Sequence, residues 1–251
     1  MTPIDDRRDP HRERDHFESL LALRGALYWA ERTAAGQRRR VIRSALLASE
    51  AQVAGDGARI LEVGCGLGDY TRGLAQSTAG AVTSVDVAPA LVRHAHTTRP
   101  PKVRFVAADV EHLPFPGATF DAVVGNAVLH HLRLERAVPE MLRVLKPGGR
   151  LCFAEPNMLN PQVFLERNVR WIGQRLDNSP GETAFVRWRI RPLLERLGVE
   201  HVGARPFDFL YPLTPERWIA PVERLGRVLE RVPVVREIAG SLLIRGVKPL
   251  A

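Results

Sequence analysis

The segment ILEVGCGLGDYT, residues 60–71, places a strand, a tight turn and a helix start directly after one another. Apolar and β-branched residues lead up to Glu62, and three glycines follow at alternate positions: Gly64, Gly66 and Gly68. This spacing predicts a buried strand that enters a turn too tight for side chains, followed by a helix from Asp69 to about Gln76. Bare backbone lets a ligand come close, and the free N–H groups of a helix start suit a carboxylate or phosphate. The segment therefore predicts a cofactor-binding turn.

Two further apolar strands end in acids. The segment AVTSVDVAP (residues 81–89) contains Asp86, which lies 24 residues after Glu62. An acid at the tip of the second strand of a βαβ unit can accept hydrogen bonds from both hydroxyls of a ribose. The segment KVRFVAADVEHLPF (residues 102–115) predicts a third strand that ends in Asp109. Acids at successive strand ends are expected to meet at one edge of a parallel sheet.

Two more elements complete the pattern. FDAVVGNAVLHHL (residues 120–132) predicts a fourth strand that runs into a loop. RVLKPGGRLCFAEP (residues 143–156) predicts a helix that ends at Lys146, a turn at residues 147–149 and a fifth strand. In order and spacing, the five elements over about residues 56–156 resemble the class I S-adenosylmethionine-dependent methyltransferases. Within that family the resemblance is to the small-molecule, UbiE/UbiG-like type 11 members.

The resemblance implies S-adenosyl-L-methionine as cofactor and S-adenosyl-L-homocysteine as its product. In the family, the acid at the position of Asp109 accepts a hydrogen bond from the adenine amino group, and Asp86 is the expected ribose acceptor. The implied cofactor-binding residues are Glu62, Gly64, Cys65, Gly66, Gly68, Tyr70, Asp86, Val87, Asp109, Val110 and Asn126.

The loop after the fourth strand carries His130 and His131. A histidine can accept a hydroxyl or phenol proton near neutral pH. In similar methyltransferases, an acid-His or His-His pair at this position lies near the transferring methyl, which predicts His131 as a catalytic base assisted by His130. The alternative is that the histidines only hydrogen-bond backbone or shape the pocket.

The composition bears on which partners, membrane segments and metals the chain is expected to have. The chain of 251 residues carries a net charge of +8, supplied almost entirely by scattered arginines, and it has only three lysines. Such usage fits a GC-rich genome as well as an anionic partner. No apolar run is long enough to predict an integral membrane segment, and the charged N-terminus has no signal-peptide core. The two cysteines lack metal-ligand or disulfide spacing, which predicts a metal-free protein of the reducing cytoplasm.

The domain organisation follows from the same patterns. We predict a disordered, charged tail over residues 1–15 and two helices over residues 16–51, separated near residues 34–36. These helices either pack against the sheet or form a lid over the active site. Residues 52–251 then form the methyltransferase domain, with an inserted helical cap at about 157–182. The alternation predicts an α/β, Rossmann-like, seven-stranded and mostly parallel sheet with helices on both faces.

Several functions fit a methyltransferase fold, and methylation of a small molecule, preferably at oxygen, is the first. Nucleic-acid amino-methylating enzymes of similar fold typically carry an Asn/Asp-Pro-Pro-aromatic motif after the fourth strand, whereas this chain has GNAVLHHL, so no nucleic-acid partner is expected. Protein methylation, a non-catalytic scaffold, and a lipid or quinone methyltransferase at a membrane surface remain alternatives. The basic helix at 215–232 is compatible with the last. The sequence does not indicate the oligomeric state.

Overall fold

The computed structural model describes residues 14–15, 33–52, 55, 57–169 and 184–250. The helices in this part of the chain are α1 (Ala34–Gln52), α2 (Asp69–Ser77), α3 (Pro89–Thr97), α4 (Leu134–Val144), α5 (Pro161–Asn168), α6 (Arg187–Arg196) and α7 (Glu216–Leu229). The strands are β1 (Arg59–Val63), β2 (Ala81–Asp86), β3 (Val103–Ala107), β4 (Phe120–Asn126), β5 (Leu145–Pro156), β6 (Glu200–Phe207) and β7 (Ser241–Val247). Short 3₁₀ turns lie at Leu129–His131 and Val235–Ile238.

The seven strands form one sheet in the order β3-β2-β1-β4-β5-β7-β6. Strands β1 to β5 pair in parallel, and β7 runs antiparallel to both β5 and β6. Alternate residues of a strand point to opposite faces, so each face carries its own apolar core. Leu61 packs with Met141 of α4 on one face, whereas Ile60 packs with Leu47 of α1 and Leu74 of α2 on the other. The predicted α/β fold, with a mostly parallel seven-stranded sheet and helices on both faces, is confirmed.

The end of helix α4 differs from the prediction. The helix ends at Val144, two residues before the predicted Lys146, and strand β5 already begins at Leu145. The carbonyl oxygens of Arg143 and Val144 accept hydrogen bonds from the backbone N–H groups of Ala118 and Thr119, so the chain leaves the helix there. The predicted turn at residues 147–149 is therefore part of an irregular strand.

The N-terminal helical unit is described in part. The first of the two predicted helices, like most of the predicted tail, lies outside the described residues. The second is α1, which packs against α2 and against β4 and β5 of the sheet. Of the predicted insertion at 157–182, residues 157–169 are described and contain α5; residues 170–182 lie outside. A lid or cap role for these segments stays a prediction.

The connection from β6 to β7 lies at the same sheet edge as the loops that follow β1, β2 and β4. Strands β5 and β6 both run antiparallel to β7, so they share a direction. Pro156 at the end of β5 and Phe207 at the end of β6 both pair with Ser241. Helix α7 therefore lies in the segment that leaves the sheet at its C-terminal edge. Among the described residues, no helix has the length and apolar character needed to cross a membrane.

Candidate active site

A cavity of about 260 Å³ opens at the C-terminal edge of the sheet, where the loops after β1 to β4 meet. Open parallel sheets bind ligands at this edge. Eleven of the thirteen residues predicted for the site line the cavity: Gly64, Cys65, Gly66, Tyr70, Asp86, Val87, Asp109, Val110, Asn126, His130 and His131. The other two, Glu62 and Gly68, lie outside the lining.

The glycine turn has the backbone conformation that its sequence predicts. Gly64, Gly66 and Gly68 all have positive φ angles, between 51° and 79°. A Cβ at Gly64 would lie 2.5 Å from a methyl carbon of Val128, so the loop after β4 packs directly on the bare backbone. Gly68 begins α2 and faces Phe105 instead of the cavity. The glycines therefore shape the turn, and only the first two of them border the site.

Glu62 supports this turn from behind. Its buried carboxylate accepts hydrogen bonds from Thr71 Oγ1 of α2 at 2.5 Å and from Ser84 Oγ of β2 at 2.7 Å. Burial raises the pKa of Glu62, and the two hydroxyl donors only partly offset that effect. Glu62 thus joins β1, β2 and α2 and holds the turn in place without lining the cavity, so a role of Glu62 in cofactor binding stays a prediction.

Asp86 is the acid best placed for a ligand. Its Oδ2 accepts from the backbone N–H of Gly66 at 2.8 Å and its Oδ1 from that of Ala88 at 3.0 Å. Burial raises the pKa of Asp86, while these N–H groups and the nearby charge of His131 act in the opposite direction. Each oxygen keeps a lone pair for a further donor. The carboxylate is therefore held in place by two backbone N–H groups and can still accept hydrogen bonds from two ligand hydroxyls.

Asp109 lies at the next strand end. Its Oδ1 accepts from the backbone N–H of Glu111 at 2.8 Å, and about a third of its side chain is exposed. Val87 and Val110 line the cavity close to the two acids in the chain. A nucleoside has an apolar ring face with donor groups at both ends, so the two carboxylate acceptors and the apolar lining fit the adenosine part of S-adenosylmethionine.

The histidine loop is held by a buried acid that sequence reasoning missed. Glu155, on β5, is fully buried, and its Oε1 accepts from the backbone N–H groups of Val128 and Leu129, both at 2.9 Å. Its Oε2 lies 2.7 Å from Nδ1 of His130. We assign the shared proton to Nδ1, because a carboxylate that already accepts two N–H groups acts as an acceptor. This assignment leaves Nε2 of His130 as the unprotonated nitrogen.

The two histidines differ in exposure. His130 is buried, with about 2% of its surface exposed, whereas His131 is partly exposed. Their ring centroids lie 4.1 Å apart at an angle of 40°. The loop turns sharply just before them, because Ala127 has a φ of 51°, a value that costs a non-glycine residue energy. Both histidines line the cavity, but His131 is the more exposed of the two, and His130 contacts both His131 and Glu155.

Asn126 is fixed by a second buried network. The guanidinium of Arg43, on α1, contacts Asn126 Oδ1 at 3.3 Å, Asp208 Oδ2 at 2.9 Å and Ser241 Oγ at 2.5 Å. Arg39 also pairs with Asp208. Burial opposes ionisation of Asp208, but the two arginines outweigh it and hold its pKa below the usual value. Helix α1 therefore reaches the site through Arg43, a contact for which the sequence carried no signal.

Arg167 was also absent from the sequence prediction. It belongs to α5, the described part of the predicted insertion, and lines the same cavity as His131. Among the described residues, no group of three or more histidine, cysteine or acidic side chains could hold a metal ion. A metal-free reaction stays a prediction.

Comparison with known proteins gives concordant matches. A family model described as "Methyltransferase domain" matches residues 61–153. The chain is 38% identical over 121 residues to the 2-methyl-6-phytyl-1,4-hydroquinone methyltransferase of Synechocystis sp.. The aligned region covers 45% of this chain and 38% of that protein. It is 37% identical over 177 residues to an uncharacterized methyltransferase of Mycobacterium bovis, over 65% of this chain and 87% of the relative.

Solved structures agree at the level of the fold. A S-adenosylmethionine-dependent methyltransferase of Thermotoga maritima, described as a possible histamine N-methyltransferase, superposes with a TM-score of 0.63. It is 18% identical and the match covers 94% of this chain and 99% of the other. Against five curated relatives, the Synechocystis protein among them, the chain spans only 28% to 64% of their length.

Proposed function

Because the chain belongs to the class I S-adenosylmethionine-dependent methyltransferases, we propose that it methylates an oxygen of a small molecule with His131 as general base. The observation that carries this proposal is the line of contacts from buried Glu155 through His130 to partly exposed His131, at the cavity that carries the cofactor-binding turn.

When bound, S-adenosylmethionine supplies a methyl group on a sulfonium, an electrophile that needs no metal. In our proposal Asp86 accepts the ribose hydroxyls and Asp109 the adenine amino group. The backbone of Gly64 and Gly66 lets the methionine part come close, and Asn126, held by Arg43, borders it. These residues bind and orient the cofactor, which fixes the direction from which an acceptor oxygen must approach.

His131 would then remove the proton of the acceptor hydroxyl as the new bond forms. A general base is worth about 10²–10⁴ in rate when its pKa is near the working pH. Glu155 fixes the orientation of His130, whose ring supports that of His131. The competing interpretation, in which both rings only shape the pocket, predicts no such effect on rate.

The test compares His131→Ala and His130→Ala with the wild type in transfer of an isotope-labelled methyl group to a panel of phenols, hydroquinones and aliphatic alcohols. We expect His131→Ala to lower kcat by about 10²–10⁴ and His130→Ala to lower it less. Affinity for S-adenosylhomocysteine, measured by calorimetry, should remain nearly unchanged in both variants. If kcat falls only a few-fold and its pH profile keeps its shape, the histidines are structural and the base assignment is wrong.

A hydroquinone is the second acceptor class to test, since the Synechocystis relative is named for a phytyl hydroquinone. Such a molecule offers both a hydroxyl oxygen and a ring carbon to the methyl group. Mass spectrometry of the product separates methylation at oxygen from methylation at carbon. Methylation at carbon alone would overturn the oxygen assignment and leave methyl transfer intact.

A further inference from the structure

Helix α7 and the turn after it form an exposed surface that the proposed reaction does not use. They lie between β6 and β7, in the segment that leaves the sheet at the edge where the cavity opens. The inner side of the helix packs through Gly226 against Phe209 and lies beside α1. The other side faces solvent over four turns of chain.

Large apolar side chains form a stripe on this solvent side. Trp218, Leu225 and Val228 are 52%, 57% and 55% exposed, and Val232 and Val234 beyond the helix end are 41% and 81% exposed. Positions 218, 225 and 228 are three or seven residues apart, so they lie on one side of the helix, and Val232 and Val234 follow in the turn after it. Such a stripe on a helix surface is a marker of an interaction site.

The charges of the helix and of the turn after it are divided between an outer and an inner side. Four arginines are exposed: Arg217, Arg224, Arg227 and Arg231. None of the four forms an ion pair within the described part of the chain. The acids instead turn inward, where Glu223 pairs with Arg38 of α1. Glu230 accepts from the backbone N–H of Asp208 and lies near Arg205. Only Glu216, in the first turn, is both acidic and exposed on this helix.

We infer that this outward face, made of the four arginines and the exposed apolar residues from Trp218 to Val234, docks on an anionic lipid bilayer. A helix with an apolar stripe beside a row of arginines fits the boundary between lipid headgroups and acyl chains. Tryptophan is enriched at that boundary. A second copy of the chain is a poorer occupant, because a symmetric contact through this face would bring like-charged arginines together. Docking places the cavity edge of the sheet next to the membrane.

The inference does not depend on the proposed reaction, because binding is measured without substrate or cofactor. The full chain is sedimented with vesicles of mixed phosphatidylglycerol and phosphatidylcholine, and with vesicles of phosphatidylcholine alone. We expect binding to the anionic vesicles that weakens as salt is added. The triple variant R217E/R224E/R231E should bind at least about a hundredfold more weakly, since each arginine near an anionic surface contributes about fivefold.

The matched control is R93E/R99E/R104E, which makes the same change of net charge at exposed residues of α3, of the loop after it and of β3, the strand at the opposite end of the strand order from β6. It should bind like the wild type. Leu225→Gln should weaken binding by about tenfold, whereas Leu250→Gln, exposed at the opposite end of the strands, should not. An unchanged melting temperature and unchanged affinity for S-adenosylhomocysteine verify that each variant is folded.

Three results would overturn the inference. The first is absence of binding to anionic vesicles, and the second is equal loss of binding in the two triple variants, which would reduce the effect to net charge. The third is a dimer in sedimentation equilibrium that Leu225→Gln dissociates, which would assign the outward face to a second copy of the chain.

Discussion

Replacement of Glu155 by glutamine tests the buried support of the histidine loop. The carboxylate holds three donors at once: the backbone N–H groups of Val128 and Leu129 on Oε1 and, on Oε2, His130 Nδ1. Glutamine keeps the shape but offers one acceptor and one donor group. If the glutamine carbonyl oxygen keeps accepting from the backbone N–H groups of Val128 and Leu129, its NH₂ group faces Nδ1 of His130. The ring of His130 must then carry its proton on Nε2.

The size of the effect follows from these contacts. A hydrogen bond to a charged group contributes about 1.5–3 kcal/mol, and a neutral one about 0.5–1.5 kcal/mol. Conversion of the two backbone bonds from charged to neutral therefore costs about 1 kcal/mol each. The third contact, to His130 Nδ1, is kept, but its direction reverses: the glutamine amide donates and Nδ1 accepts. We expect Glu155→Gln to lower the free energy of unfolding by about 2–3 kcal/mol, a large share of the about 5–15 kcal/mol of a typical domain.

Two measurements check this prediction. Urea unfolding followed by circular dichroism gives the free energy, with Glu200→Gln as control, because Glu200 is an exposed acid in strand β6. Long-range ¹H–¹⁵N spectra of the histidine rings give the tautomer, and the proton of His130 should move from Nδ1 to Nε2 in the variant. Equal stability of Glu155→Gln and wild type, together with an unchanged tautomer, would refute the positioning role.

The remaining predictions concern titration and metals. Burial raises the pKa of Glu62, so its stabilising contribution is complete below about pH 4, its unfolded value, and is lost as the pH rises through the folded value. In urea unfolding, wild type should therefore lose stability relative to Glu62→Gln as the pH rises above about 4. Asp208 behaves in the opposite sense, since Arg39 and Arg43 outweigh its burial and lower its pKa; wild type should lose stability relative to Asp208→Asn as the pH falls below about 4. A pH-independent difference in either pair would contradict the corresponding assignment. Methyl transfer should be unaffected by a chelator, and loss of activity that Mg²⁺ restores would show a metal requirement.

The parts of the site that the sequence predicted are those encoded locally. Gly64 and Gly66 follow their strand directly, and Asp86 stands at the end of the next one, so a strand pattern and a turn pattern suffice to place them. Neighbouring parallel strands then bring their C-terminal ends together. The fold follows from the same alternation, because each short apolar strand is followed by a segment of helical periodicity.

The parts that were missed depend on contacts between distant positions. Glu155 lies 25 residues from His130, and within its own strand it is a single acid in an apolar run with no sign of its partner. Arg43 contacts Asp208 across 165 residues, so its role appears only after helix α1 packs beside the segment that follows β6. The end of α4 was misplaced because backbone N–H groups of a preceding loop take up the last helix carbonyls.

Calorimetric titration with S-adenosylhomocysteine tests the central claim most directly, since it needs no acceptor. Asp86→Ala removes an acceptor of charge-assisted hydrogen bonds to the ribose, so the affinity should fall about tenfold to a hundredfold relative to wild type. Glu200→Ala, which removes an exposed acid remote from the cavity lining, should bind as wild type does. Unchanged affinity in Asp86→Ala, or no binding by the wild type, would contradict the assignment of this cavity to the cofactor.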